Sequence, residues 1–387
     1  MDTELGHSMK IVIAPDSFKE SLSASAAAQA IANSLSEAID SIECVCLPMA
    51  DGGEGTAKTL CDLANGQWRE VIVHDPLGRK VKAGYALLDR RRAVIEMAEA
   101  AGLQLLSTSE RNPAVTSTYG VGELILDALN EGVTEFIIGI GGSATNDGGS
   151  GMLSALGVKF LDKTGQTLPA GGLALSALDS VSLLALDKRL QDCKMTIACD
   201  VNNPLLGTNG ASAIFAPQKG ANAELVEQLD KALANYAEKM VAAGFPAVHS
   251  VSGSGAAGGL GFALLGLPNV SLESGISLVM REAKLLEHCQ NADYVITGEG
   301  RMDGQTLSGQ VPLGVLQCAS QQNIPVIALC GCLGEQIEIL EKQGFLAILP
   351  TISHLDSLEN TLANGEQNLR RTARQVGKLL SSTFHLK

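Results

Sequence analysis

Positive charge is scarce in this chain. Against 42 Asp and Glu stand 28 Lys and Arg, a formal net charge of −14 over 387 residues. A binder of nucleic-acid backbones needs a basic footprint, so nucleic acid is excluded as a partner. No apolar run reaches the ~18 residues of a membrane-spanning helix, so no membrane partner is expected either. Aromatic residues make up only 3%, which leaves the packing to small side chains. The nine cysteines contain no Cys-x-x-Cys pair. The tightest spacings, Cys44/Cys46 and Cys330/Cys332, have no His partners of the kind a zinc site uses. Buried reduced thiols are the expectation. His74, His249, His288 and His354 share neither ligand spacing nor a local triad context.

What is present is a folding chain. Hydrophobic residues reach 45% with only 18% charged, and the length suits two domains or one large one. Residues 1–8 are polar and lack the apolar core of a signal peptide, so Met9 reads as the natural start. Apolar strand-like runs at 10–14, 43–47, 135–140, 195–199, 294–297, 325–330 and 346–349 alternate with helical patterns such as 24–38, 56–64 and 152–156. That alternation predicts an α/β protein with largely parallel sheets and helices on both faces. The runs 71–73, 83–88 and 93–97, separated by Asp75-Pro76-Leu77-Gly78 and Asp89-Arg90, predict an antiparallel or mixed element. Boundaries near Asn65-Gly66 and Gln290-Asn291 divide the chain into a Rossmann-like α/β domain of residues 9–64 plus 291–387 and an inserted α/β domain of residues 65–290.

In open α/β sheets ligands bind beyond the carboxyl ends of the strands, and there this chain places acids. Asp16, Ser17 and Lys19 follow the first strand, and Asp51 and Glu54 the second. Asn146 and Asp147, then Asp200 and Asn203, then Glu299, Arg301 and Asp303 follow later ones. Any one of them could be a helix cap or turn residue, but five loaded strand ends in a row are poorly explained by caps. The segment from Gly139 to Gly151 is the longest glycine-rich loop. It follows a strand and opens a helix, the arrangement in which backbone N–H groups converge on an anion. It matches neither Gly-x-x-x-x-Gly-Lys-Ser/Thr nor Gly-x-Gly-x-x-Gly. A second such segment, Gly253 to Gly261, reads equally well as a close packing contact. Pro217-Gln218-Lys219-Gly220 puts a lysine in a turn. Acids beside phosphate-cradling loops point to a Mg²⁺-dependent phosphotransferase acting on a small hydroxylated substrate.

Longer motifs carry a resemblance. The run from Lys10 to Ala24 (KIVIAPDSFKESLSA), Pro48-Met49-Ala50-Asp51-Gly52-Gly53-Glu54-Gly55-Thr56, and Asn112-Pro113 with the segment Thr118 to Ile125 resemble the bacterial type-1 glycerate kinases. So do the loop from Gly139 to Gly151, Cys199-Asp200-Val201 with Asn203-Pro204-Leu205, the turn at Pro217 to Gly220, and Ile296-Thr297-Gly298-Glu299-Gly300-Arg301. The resemblance covers nearly the whole chain from Met9. It implies ATP-dependent phosphorylation of D-glycerate, most often at the 2-hydroxyl, in the cytoplasm, by two α/β domains with the active-site cleft between them. Phosphorylation at the 3-hydroxyl, a non-catalytic sensor of small acids or nucleotides on the same scaffold, and self-association all stay open.

On this basis Asp16 is the first choice for the catalytic base and Asp200 the second. Lys19 and Arg301 bind the glycerate carboxylate or the transferring phosphoryl group. Asp51, Glu54, Asp147 and Glu299 compete for Mg²⁺. Gly141, Gly142, Ser143, Gly148, Gly149, Gly258, Gly259 and Lys219 hold the nucleotide phosphates. The chain departs from the family twice. Gly309-Gln310-Val311-Pro312 stands where Gly-Lys-x-Pro is usual, removing a cation near Arg301, and Ala216 replaces the usual Gly.

Overall fold

The computed structural model describes residues 8–304, 306 and 310–384. Most of the polar leader and Gly309 therefore lie outside the described residues. The chain divides into two compact units, one running to Asp51 and resuming at Ile276, the other Gly52–Gly275. Thirteen strands occur among the described residues: β1 Met9–Pro15, β2 Ile42–Cys46, β3 Gln67–His74, β4 Lys80–Leu87, β5 Arg92–Glu96, β6 Glu135–Gly139, β7 Lys159–Leu161, β8 Ser180–Ser182, β9 Lys194–Ala198, β10 Val270–Glu273, β11 Tyr294–Met302, β12 Val326–Leu333 and β13 Ala347–Pro350.

The discontinuous unit is built on a five-stranded sheet in the order β13-β12-β11-β1-β2, parallel throughout. Such a sheet is buried on both faces, which is why β1 and the first half of β11 are continuous apolar runs rather than alternating ones. Ser23 caps the helix Ala24–Ser36 by accepting from Ala26 N at 3.1 Å. That helix buries a face of Ala27, Ala28, Ile31 and Leu35. Because these side chains are mostly alanine, the C-terminal helix Gly365–Phe384 can pack directly on it, with Leu369, Ala373 and Val376 in the shared core.

The other unit carries a six-stranded sheet, β10-β9-β6-β5-β4-β3. Its β10, β9, β6 and β5 are parallel neighbours, while β4 pairs antiparallel with both β5 and β3. The antiparallel element expected at 71–97 is these three strands. A small antiparallel pair, β7 with β8, lies apart.

The boundaries differ from the expected ones for a packing reason. The helix Thr56–Leu63 rests on β4 and β5 and so belongs to the inserted unit. The helix Leu285–Cys289 packs on the helix Val311–Ser320 and so belongs to the discontinuous one. The inserted unit begins and ends on two glycines in contact: Gly52 has φ +91°, and a Cβ on it would sit 2.6 Å from Gly275 Cα. A side chain at Gly52 is excluded both by the backbone conformation and by this approach.

Candidate active site

Five of the residues given a catalytic or ligand-binding role from the sequence meet in one cavity of about 500 Å³ within the discontinuous unit: Asp16, Lys19, Asp51, Glu299 and Arg301. They come from the carboxyl edge of the parallel sheet, where such ligand sites belong. Asp16 follows β1 directly, and its N–H donates to Gly298 O of β11 at 2.8 Å, which sets it beside Glu299. The chain after β2 is tied back by Met49 N donating to Pro15 O at 2.8 Å, which delivers Asp51 to the same edge. Glu299 and Arg301 lie on β11 itself, which runs beyond its neighbour β1 in register.

Electrostatics at this edge are dominated by carboxylates crowded together in partial burial. Burial, with help from the charge of Asp51, pushes Asp16 up to about 7, although Ser17 N donates to its Oδ1 at 2.6 Å and Lys19 opposes the shift. Glu299 is pushed up to about 8, first by burial and then by the neighbouring Asp16 and Asp303. Thr306 opposes that shift. Its buried hydroxyl donates to Glu299 Oε1 at 2.8 Å while accepting from Asp303 N at 3.2 Å. Arg301 extends into solvent with its Nε on Asp303 Oδ2 at 2.9 Å, leaving the terminal guanidinium nitrogens for a ligand. Gln310 lines the same cavity and precedes the helix Val311–Ser320 without capping it.

The glycine-rich loop of the inserted unit has a different character from the one expected. Asp147 is fully buried. Its Oδ2 accepts from Thr118 N, Thr118 Oγ1 and Gly151 N at 2.8, 2.9 and 3.2 Å, and its Oδ1 from Gly149 N at 3.1 Å. Its oxygens are committed to folding the loop. Lys219, expected on a phosphate, is likewise enclosed, donating to Ser143 Oγ at 2.7 Å and Thr145 O at 2.6 Å. Burial holds it down at about 7, with Asp147 opposing. Ser143 is thereby used as an acceptor for the lysine. Gly148, Gly149, Gly258 and Gly259 are buried as well. Gly258, at φ +65°, lies against the Thr145 carbonyl and Asn146 Cα, so the packing reading holds for the second glycine segment. Of the loop glycines expected to meet phosphate, only Gly141 and Gly142 are exposed.

Gly141 and Gly142 line a depression of about 30 Å³ with Gly52, Gly53, Glu54, Glu96 and Gly139. Glu96 is a residue the sequence reading passed over. It caps the helix Thr56–Leu63 from β5, accepting from Ala57 N at 2.6 Å and Gly55 N at 3.2 Å, and burial raises it to about 7. Its signal was the one used elsewhere, a carboxylate ending an apolar strand. Asp200 is exposed, with Oδ1 accepting from Gly275 N at 3.1 Å. Among the described residues no cluster of three or more His, Cys, Asp or Glu has metal-binding geometry, and no helix is long and apolar enough to cross a membrane.

A mixed and parallel α/β scaffold with acids and two cations gathered at a sheet's carboxyl edge defines an enzyme of small, polar, anionic substrates. The sequence profile of the Glycerate kinase family matches residues 11–381. The chain is 48% identical over 378 residues to a protein of Haemophilus influenzae named glycerate kinase, covering 97% of this chain and all of that one. It is 44% identical over 374 residues to the glycerate 2-kinase of Escherichia coli K12, covering 96% and 98% of the two chains. A crystal structure described as glycerate kinase 2 of Salmonella typhimurium LT2 superposes with a TM-score of 0.89 at 45% identity, covering 97% of this chain and 99% of that one. The chain belongs to the glycerate kinase family.

Two outcomes follow from this geometry. Asp147→Asn replaces an acceptor by an amide donor facing N–H groups and should lower the unfolding midpoint, by about 3 kcal/mol in stability, measured by urea denaturation. The second concerns pH. A carboxyl held above its unfolded value binds its proton more tightly when folded, so stability falls as the pH rises from the unfolded value toward the folded one, and the loss is complete above the folded value. Without divalent cations the melting temperature should therefore fall as pH rises from about 5 to 8, and Asp16→Asn should flatten the part of that fall below about pH 7. Parallel curves for parent and variant would contradict the assignment.

Proposed function

We propose that the protein transfers the γ-phosphoryl group of ATP to D-glycerate, at the 2-hydroxyl. One observation carries the reading: Asp16, Asp51 and Glu299 share a single cavity with Lys19 and Arg301. The relative in Escherichia coli, named a glycerate 2-kinase, supports the 2-hydroxyl.

Asp16 is the base. As the hydroxyl oxygen of glycerate attacks the γ-phosphorus, its proton passes to the Asp16 carboxylate. The new P–O bond forms as the bond from the γ-phosphorus to the bridging oxygen breaks, and that electron pair leaves with ADP. Arg301 offers its guanidinium nitrogens to the glycerate carboxylate, a pairing that favours bidentate geometry. Lys19 faces the charge on the equatorial phosphoryl oxygens. Asp51 and Glu299 fit a hard divalent cation, since both are carboxylates and Glu299 is raised by burial and by the charges of Asp16 and Asp303, a cost that a cation would relieve. Mg²⁺, when bound there, neutralises charge on the phosphates. Thr306 holds Glu299 by one oxygen and fixes its orientation. Asp147 and Lys219 act on the loop's structure rather than on the substrate. Asp200 and Glu54, exposed on the inserted unit, have no step in this scheme.

Phosphorus NMR of the product from D-glycerate, ATP and Mg²⁺ should show 2-phosphoglycerate and ADP, and excess EDTA should abolish the reaction. 3-Phosphoglycerate as the product overturns the regiochemistry, and ATP left intact overturns the activity. Gln310 supplies a quantitative check. It lines the cavity beside Arg301, so Gln310→Lys adds a cation where anions bind. Charge-assisted bonds exceed neutral ones by ~1–2 kcal/mol, so kcat/KM for glycerate or ATP should rise about 5- to 30-fold. A change below twofold for both substrates shows that charge at this position is screened.

A further inference from the structure

The cavity of the discontinuous unit is far larger than glycerate. Even at the ~30 Å³ a water molecule takes in the liquid, the acid's seven heavy atoms occupy at most about 200 Å³. The cavity is about 500 Å³, within the range that holds ligands of nucleotide size. Its walls also change character. At the Asp16 end they are ionic. Away from the acids they are formed by Gly331, Thr351, Ile352, Leu358, Leu362 and Asn368.

Two features of that second wall call for a ligand. Leu358 is 72% exposed and Ile352 36%, so an aliphatic surface stands uncovered at the rim. The same wall carries two polar residues, each more than nine-tenths buried as a whole, that have a side-chain polar atom left without a partner. Asn368 accepts at Oδ1 from Arg371 Nη2 at 3.1 Å, but its Nδ2 has no partner among the described residues. Thr351 uses its backbone carbonyl to accept from Arg371 Nη2 at 3.0 Å and its N–H to donate to Cys330 O at 2.7 Å, but its hydroxyl has no partner among the described residues. Neither atom is among the fully enclosed unpaired ones; both belong to residues that line the cavity, where a ligand can bond them. One amide donor and one hydroxyl set among aliphatic chains suit a flat heteroaromatic ring with nitrogen acceptors and an amino group.

We propose that this wall is the nucleobase subsite. The purine ring of ATP lies against Ile352, Leu358 and Leu362. Asn368 Nδ2 donates to a ring nitrogen, the Thr351 hydroxyl accepts from the exocyclic amine, and the phosphates run toward Lys19 and Arg301 in the same cavity. The nucleotide is thus held by the unit that carries the acids. The alternative phosphate cradle at Gly141 and Gly142 is a depression of only about 30 Å³. Of two further cavities in the inserted unit, one of about 710 Å³ has its acids Asp89 and Glu131 already paired with Arg92 and Arg69, and the other, of about 460 Å³, has its charged groups engaged as well. Its Asp75 accepts from Leu77 N, Arg79 N and Arg79 Nε, and its His74 is bonded to Glu123.

This inference rests on the proposed ATP-dependent reaction, but calorimetry with adenosine and ADP in the absence of glycerate reads the subsite by itself. Leu358→Ala, at an exposed position, and Thr351→Val, an isosteric change, should each weaken ADP and adenosine about 5- to 30-fold. In steady-state assays each should raise KM for ATP by a similar factor and leave KM for glycerate within twofold. Val115→Asp, in the cavity of the inserted unit, should leave ADP affinity unchanged. A rise in KM for glycerate alone, unchanged ADP affinity in both subsite variants, or loss of ADP binding in Val115→Asp overturns the assignment. If the parent binds ADP as expected but never phosphorylates glycerate, the reaction is wrong and the subsite stands.

Discussion

Repulsion among carboxylates at one sheet edge is the constraint around which the discontinuous unit is organised. Asp16, Asp51 and Glu299 are brought together by backbone hydrogen bonds between strands, and Lys19 only partly offsets the cost of burying them side by side. The sheet supplies the necessary rigidity. A parallel core of Ile11, Ile13, Ile296, Ile327 and Leu329 holds the strand ends in place, so burial and the nearness of the other acids raise the proton affinity of Asp16 and Glu299. The strain is retained in protonation states, the form in which phosphoryl transfer can use it, because a proton or a cation exchanged at this edge changes the energy of every group around it.

The inserted unit meets its polar burden in the opposite way. Asp147 and Lys219 are both fully enclosed, and each is answered by hydrogen bonds from or to the loop of residues 139–151, with Thr118 adding two more to Asp147. Here charge is used to fold backbone that has no regular secondary structure, in a region where glycines leave few side chains to pack. The two units thus show acids and bases in two roles, exposed to a cavity in one and used as internal struts in the other.

Much of this was legible in the sequence. Alternating apolar runs gave the parallel sheets, and acids after strands gave Asp16, Asp51 and Glu299, because strand ends and ligand sites coincide in open sheets. The loop from Gly139 to Gly151 misled for a physical reason. Glycine serves close packing and anion binding equally well, and sequence does not show which face of the loop is covered. Lys219 was expected on the nucleotide phosphates and Asp147 on Mg²⁺, and their enclosure was not legible because their partners, Ser143 and Thr118, lie 76 and 29 residues away along the chain. Thr306, Thr351 and Asn368 carried no signal at all, since a hydroxyl or amide becomes informative only once its burial and missing partners are known. Domain boundaries slipped because α-helical segments such as Thr56–Leu63 carry no mark of which sheet they will cover.

The contact between Gly52 and Gly275 has a consequence for how the gene can be cut. The inserted unit starts and stops at one point, so its ends need no long tether. Deleting 52–275 leaves two cut ends for a short turn to join, and the excised segment can be circularised or given new termini elsewhere on its surface. Topologically, a chain that reads as three consecutive pieces is one compact body with a second threaded into it as a single loop.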